Sequence, residues 1–134
     1  MSGRVEAAAR KPLAEGEEVG TTFAHPVERE LARVFDEHGI EWLYEPHTFV
    51  LERHADGGVK EAFTPDFYLP ELGIYVECTV MRQALTNRKR RKAIKARITK
   101  GVMVEILFRS DIERLARRWK LPRLAAAISC APEV

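Results

Sequence analysis

Cysteine is nearly absent from this chain. Cys78 and Cys130 are the only two, without metal-type spacing, and they exclude a disulfide framework or a cysteine zinc site. Cys78 reads most simply as a small buried apolar residue. Long apolar runs are missing too. None could span a bilayer, and the N-terminus lacks the basic-then-apolar order of a signal peptide, so a cytoplasmic protein with no membrane partner is expected. Residues 1–20 contain no aromatic and show no durable period; they are expected to form a mobile tail, leaving 21–134 as a single domain. With 134 residues, 46% of them hydrophobic, the chain can bury one core but hardly two.

Acid is the other local absence. Arg82 through Lys100 holds nine basic residues and no carboxylate, although the whole chain carries a net charge of only +2. By difference the remainder stands at about −7, and a basic stripe on an acidic protein suggests a polyanionic partner. Alone, such a run is more often a solvated helix face. Its neighbourhood changes the weighing.

Just upstream, Phe63 to Leu69 reads as one strand in which Asp66 shares a side with Thr64 and Tyr68. Pro70-Glu71-Leu72-Gly73 has hairpin-turn chemistry, and Ile74-Tyr75-Val76-Glu77 continues as the return strand. Folding the hairpin brings Asp66 near Glu77. Around this pair the periodicity predicts a helix from Pro26 with Val27, Leu31, Val34, Phe35 and His38 on its stripe and Gly39 as its stop. One or two strands follow over Trp42–Glu45 and His47–Glu52, then a turn at Asp56-Gly57-Gly58. A helix over Thr86–Ile98, a buried strand over Val102–Phe108 and a last helix opened by a Ser110-Asp111-Ile112-Glu113 capping box complete the pass. The strands at Glu77 and Val102, joined through a helix, are expected to be parallel neighbours.

Pro65-Asp66, a hairpin, then Glu77-Cys78-Thr79 resembles the PD-(D/E)xK phosphodiesterase superfamily, whose signature ends in Glu-x-Lys. Its small very-short-patch-repair and transposon-endonuclease-like members also carry an upstream helical glutamate and a Gly-Ile-x-Trp/Tyr-x-Tyr-Glu-Pro stretch. Glu28 and Gly39-Ile40-Glu41-Trp42-Leu43-Tyr44-Glu45-Pro46 are similar to these, so the resemblance runs from about His25 to about Leu115. It implies an α/β, restriction-endonuclease-like core of order αβββαβα, a mixed central β-sheet flanked by helices. It further implies a Mg²⁺-dependent endonuclease acting on DNA rather than RNA, with Mn²⁺ as a substitute ion. Asp66, Glu77 and the carbonyl of Cys78 would be metal ligands, and Glu28 a peripheral or second-metal one. Carboxylates suit that ion because Mg²⁺ prefers hard oxygen donors and acidifies a bound water.

At the signature's last position this chain has Thr79, whose hydroxyl can hold a water but carries no charge. A substitute lysine is available on the next helix, where Leu85, Lys89, Lys92, Ala93 and Ala96 fall along one side. Some members of the superfamily have moved the lysine to that helix. Lys89 is the first choice and Lys92 the second; the rival face, with Asn87, Arg91, Ile94 and Ile98 buried, would turn Lys89 outward. Arg82, Arg88, Arg90, Arg91, Lys92, Lys95 and Arg97 are candidates to track phosphates.

Other residues have plainer readings. His25, His38, His47 and His54 lack ligand spacing and read as caps, core-edge or surface residues. Glu30 competes with Glu28 for the inward position, and Glu45 is either a site acid or a strand-edge charge. Trp42, Tyr44 and Tyr68 are core packing before they are base-stacking platforms. Two further functions stay open: a nucleic-acid-binding module that has lost catalysis, and a subunit whose basic helix docks an acidic protein. With no recognition domain in view, specificity falls to DNA structure, a partner protein or a homodimer mate; the segment from Trp119 either packs on the core or serves as that surface.

Overall fold

The structure is a computed structural model that describes residues 22–80 and 83–129. The expectations for the N-terminal tail, Arg82 and Cys130 lie outside the described residues. In chain order the elements are α1 (Pro26–Glu37), β1 (Leu43–Tyr44), β2 (Phe49–Arg53), β3 (Val59–Phe63), β4 (Phe67–Leu69), β5 (Ile74–Thr79), α2 (Gln83–Lys100), β6 (Val104–Phe108), α3 (Arg109–Arg118) and α4 (Pro122–Ser129). The fold is mixed α/β. A four-stranded sheet has the order β1-β4-β5-β6, antiparallel except for the parallel β5–β6 pair, and β2 and β3 form a separate hairpin.

Local chemistry accounts for most boundaries. His25, extended at φ −145°, accepts the Val27 N–H on Nδ1 at 3.0 Å and so caps α1, with Pro26 in the first turn. The helix ends where the sequence places its stop, at Gly39 with φ +68°. Gly73, also at φ +68°, closes the β4–β5 turn by donating its N–H to the Leu69 carbonyl. The parallel β5–β6 pairing is the expected one, with Glu77 opposite Ile106.

Three expectations change. The strand order before α2 is five short strands, not three, because the segment through Asp66 is broken: Thr64, Pro65 and Asp66 lie between β3 and β4. Pro65 has no N–H for a ladder and restrains the residue before it, so pairing stops there. The capping box at Ser110 is replaced by a tighter arrangement. β6 runs straight into α3, Phe108 is the N-cap, and Asp111 Oδ2 accepts the Phe108 N–H at 2.9 Å. A further helix also follows the expected one, which ends at Arg118 with Trp119 as its C-cap, as the sequence predicts. Lys120, at φ +52°, turns the chain into a distinct α4, whose Leu124, Ala127 and Ile128 are buried.

Side-chain alternation divides the molecule in two. Val76 and Cys78 of β5, with Val80 just past its end, join Phe67, α1, α3 and α4 in one core, while Tyr75 joins Ala93 and Ala96 of α2 and Phe49, Leu51 and Phe63 of the hairpin in a second. Glu77 and Thr79 fall by alternation on the α2 side. Trp42 and Tyr44 are core residues, Trp42 donating Nε1–H to Asp36 at 2.8 Å, which removes them as base-stacking platforms. Among the described residues no helix is long and apolar enough to cross a membrane.

Phe67 is fully buried and meets four aromatic rings, whereas Ile98 on the far side of α2 is 77% exposed. Phe67→Ala is expected to lose about 3–5 kcal/mol of stability in denaturant unfolding, and Ile98→Ala less than about 0.5 kcal/mol. Equal losses would contradict this division of core from surface.

Candidate active site

The β4–β5 hairpin brings its two acids together through the backbone as well as through proximity. Asp66 donates its N–H to Glu77 Oε1 at 3.0 Å, and Cys78 donates its N–H to Asp66 Oδ2 at 2.9 Å. Each carboxylate is thus held by a main-chain N–H at or beside the other acid. Both are buried, Asp66 to 5% and Glu77 to 4% exposure. Such burial is costly for two like charges unless a cation joins them.

The cation comes from α2. Lys89 Nζ lies 2.9 Å from Glu77 Oε2 and 2.9 Å from the Cys78 carbonyl oxygen. This is the inward lysine that one reading of the helix predicts. Its rival is overturned, since Ile94 and Ile98 are exposed while Ala93 and Ala96 are buried. The register of α2 is secured below by Thr79 Oγ1 meeting Thr86 Oγ1 at 3.1 Å, and above by Lys92 donating to the Ala62 carbonyl at 3.0 Å. Thr79, 2% exposed, therefore holds the helix through its hydroxyl. Lys92 is directed at the hairpin, away from the role of catalytic substitute.

Glu28 enters from α1 as expected, 6% exposed, while Glu30 stays nearer the surface with Arg33 and Arg123. Tyr44 donates its hydroxyl to Glu28 Oε1 at 2.6 Å, and the Ala24 N–H reaches the same oxygen at 3.2 Å. Tyr44 is a site-positioning residue that strand patterning hides, because in a strand it is indistinguishable from packing. Glu45 is exposed and left-handed at φ +46°, with its N–H on the Asp66 carbonyl at 2.8 Å. Its backbone steadies Asp66, a use of strain typical beside functional sites. Among the histidines, His25 and His38 are helix caps, His54 is exposed, and His47 sits 2.7 Å from the Tyr75 hydroxyl.

The electrostatics follow from burial. Burial pushes the Asp66 carboxyl up to about 8, and the Glu77 and Glu28 carboxylates add to it. Glu77 is raised by burial too, although Lys89 and the Asp66 N–H oppose the shift. Burial works against the charge on Lys89, but the attraction of Glu77 and then Asp66 outweighs it, so the ammonium titrates above its ordinary range. Burial raises the Cys78 thiol well above its usual value, leaving it a neutral core group rather than a nucleophile. His25 is held below its ordinary value by burial, against the pull of Glu28.

The donor set can be tested for a metal. Asp66, Glu77 and the Cys78 carbonyl are hard oxygen donors, and two of the three already share one cation, the Lys89 ammonium. They fit Mg²⁺ in chemistry. Among the described residues, however, no three His, Cys, Asp or Glu side chains converge as a ready metal cluster, so Glu28 does not complete one. Its carboxylate is occupied by Tyr44 and Ala24.

The basic helix divides its cations. Lys95 is bound to Glu52 at 2.9 Å and Glu61 at 3.1 Å, pinning the β2–β3 hairpin, while Arg88, Arg90, Arg91 and Arg97 are exposed. Arg90 lies over the Phe108 ring at 4.9 Å. Lys92 and Lys95 thus leave the set expected to face phosphates, and the arginines remain. No protein-family model, curated protein or solved structure matches this chain.

Asp66 carries a pH signature. Its carboxyl moves from an ordinary 3.8 to about 8 in the folded state, so folding favours the protonated form between those values. The penalty is absent below the unfolded value, grows as pH rises and is complete above about 8. Without divalent ions, Asp66→Asn is expected to stabilise the protein at pH 8.5 by on the order of a few kcal/mol, and by much less at pH 4. A variant no more stable than wild type at pH 8.5 in thermal unfolding would refute the assignment.

Proposed function

We propose that the chain is a metal-dependent endonuclease of the PD-(D/E)xK type that hydrolyses DNA phosphodiester bonds, on a restriction-endonuclease-like core. One observation carries the reading: two buried acids latched across a hairpin, with a lysine from the following helix placed on the second acid and on the carbonyl beside it. A site that handles a cation and a developing negative charge needs that arrangement.

In this reading Asp66, Glu77 and the Cys78 carbonyl hold Mg²⁺, for which Mn²⁺ would substitute. The ion, when bound, supplies charge neutralisation at the scissile phosphate and a water acidified toward neutrality. Asp66 must lose its proton to serve as a ligand, so activity rises with pH toward the range in which it ionises. Lys89 gives up the Cys78 carbonyl and turns its ammonium to the attacking water or a nonbridging phosphate oxygen. Tyr44 keeps Glu28 oriented at the rim of the site, as a neutral donor whose own ionisation is suppressed by burial and by Glu28. Thr79 occupies the signature's lysine position yet acts as the anchor of α2, so the charge has moved from strand to helix without leaving the site. The exposed arginines of α2 supply sequence-independent phosphate contacts.

Supercoiled, linear, single-stranded and branched DNA incubated with Mg²⁺ or Mn²⁺ provides the test. Asp66→Ala and Glu77→Ala are expected to abolish cutting, and Lys89→Gln to slow it by roughly 10²-fold or more while leaving DNA affinity within about twofold. Lys89→Gln combined with Thr79→Lys is expected to recover part of the loss. Salt-sensitive DNA binding by a wild type that cuts nothing with either ion would replace this reading with the binding module.

A further inference from the structure

A second basic region lies outside the helix that the charge count singles out. From Arg109 to Arg123 the chain has six cations, Arg109, Arg114, Arg117, Arg118, Lys120 and Arg123, against two acids, Asp111 and Glu113. Arg109, Arg114 and Arg123 are paired with Glu113, Asp111 and Glu30. Among the described residues Arg117, Arg118 and Lys120 form no ion pair.

Arg109, Arg117 and Lys120 border a cleft between α3 and α4 of about 510 Å³, inside the roughly 300–1,000 Å³ of small-ligand pockets. Arg109, Glu113, Arg117 and Lys120 line one side at helical spacing, and Leu121 and Ile128 lie among the apolar residues of the other. A charged rim over an apolar wall suits an amphipathic anion, such as a base carried on its phosphate.

The cleft is tied to the edge of the sheet where the proposed site opens. Arg109 directly follows the last residue of β6, and its Nη1 reaches the carbonyl of Val80, just past the end of β5, at 3.4 Å. Open α/β sheets bind ligands outside the carboxyl ends of their strands. Arg90 of α2 lies over the ring of Phe108, the residue before Arg109. Arg90 and Arg109 both adjoin Phe108, so the basic face of α2 and the α3–α4 rim come together at the β6–α3 junction. By helix rise, Arg109 and Arg117 are about 12 Å apart along the axis, far enough to meet different phosphates of one strand.

Lys120 adds an independent sign. It adopts φ +52° immediately after the C-cap Trp119, a position where glycine is the favoured residue. The helix dipole accounts for a cation in the last turn of α3. It does not account for a lysine at a left-handed position.

Resting on the nuclease reading above, we infer that the α3–α4 cleft is a second DNA subsite. It takes a nucleotide of the substrate strand outside the cut, with Arg117 and Lys120 on the phosphate and the Leu121–Ile128 wall against the base. It sets which flank of the DNA the enzyme holds, without reading sequence.

Fluorescence anisotropy of a labelled DNA duplex in EDTA, over a salt series, separates the outcomes. Arg117→Glu with Lys120→Glu is expected to weaken binding about tenfold or more and to flatten the log–log salt slope by about 2. Arg114→Glu with Arg118→Glu, a matched double reversal of residues that do not line the cleft, is expected to have a much smaller effect. Lys120→Gly is expected to raise Tm, by relieving the backbone, while weakening DNA binding; a purely structural lysine would not separate the two. If the double variant binds like wild type while the wild type cuts DNA, the cleft is refuted and the nuclease reading stands. A wild type with no salt-dependent DNA binding refutes both.

Discussion

Everything at the centre of this molecule depends on a pair of crossed hydrogen bonds. The Asp66 N–H on Glu77 and the Cys78 N–H on Asp66 fasten the start of β4 to the middle of β5, and they do so with carboxylates whose charge the surrounding burial opposes. The two acids stay together because each satisfies a backbone donor that a buried bend would otherwise strand. Holding them there raises the affinity of Asp66 for a proton and creates a demand for positive charge. Lys89 meets that demand in the absence of other cations.

The rest of the architecture serves this arrangement. α2 must be long enough to be anchored at Thr86, to present Lys89, and still to reach the β2–β3 hairpin with Lys92 and Lys95. Its small inward residues, Ala93 and Ala96, let it lie close to the sheet, and its arginines are left to solvent. A helix without acids thus turns Lys89, Lys92 and Lys95 onto the sheet and the hairpin and leaves its arginines outward. On the other face, α1, α3 and α4 seal the core beneath Phe67 and Cys78, which keeps the hairpin rigid enough to hold two acids at fixed positions.

Charge is arranged along the chain more unevenly than its net value of +2 conveys. The α2 arginines and the α3–α4 rim meet around Phe108, where a strand runs into a helix with no loop between. Counting charge in one window reveals the first region and misses the second, because the α3–α4 cations alternate with acids that partly cancel them in sequence. In space Glu113 and Asp111 are already paired, and Arg117 and Lys120, which form no ion pair among the described residues, line the cleft.

The sequence by itself determined the acids, their hairpin, the parallel β5–β6 crossover, the pair Glu28 and Glu30 from which one acid turns inward, and the two helix faces between which Lys89 had to choose. Those features are local: turn residues, alternation and helical period specify them within a few residues. Sequence could not decide the break at Pro65, the Phe108 cap, the anchoring role of Thr79, the Tyr44 bond to Glu28 or the diversion of Lys92 and Lys95 to the hairpin. Each depends on which distant element lies opposite. A strand pattern does not distinguish a hydroxyl that holds a carboxylate from one that fills a core, nor a lysine that meets a phosphate from one that meets a carbonyl across thirty residues. Only the packing of α2 on the sheet, set by the small residues along one of its sides, resolved the choice and put Lys89 on Glu77.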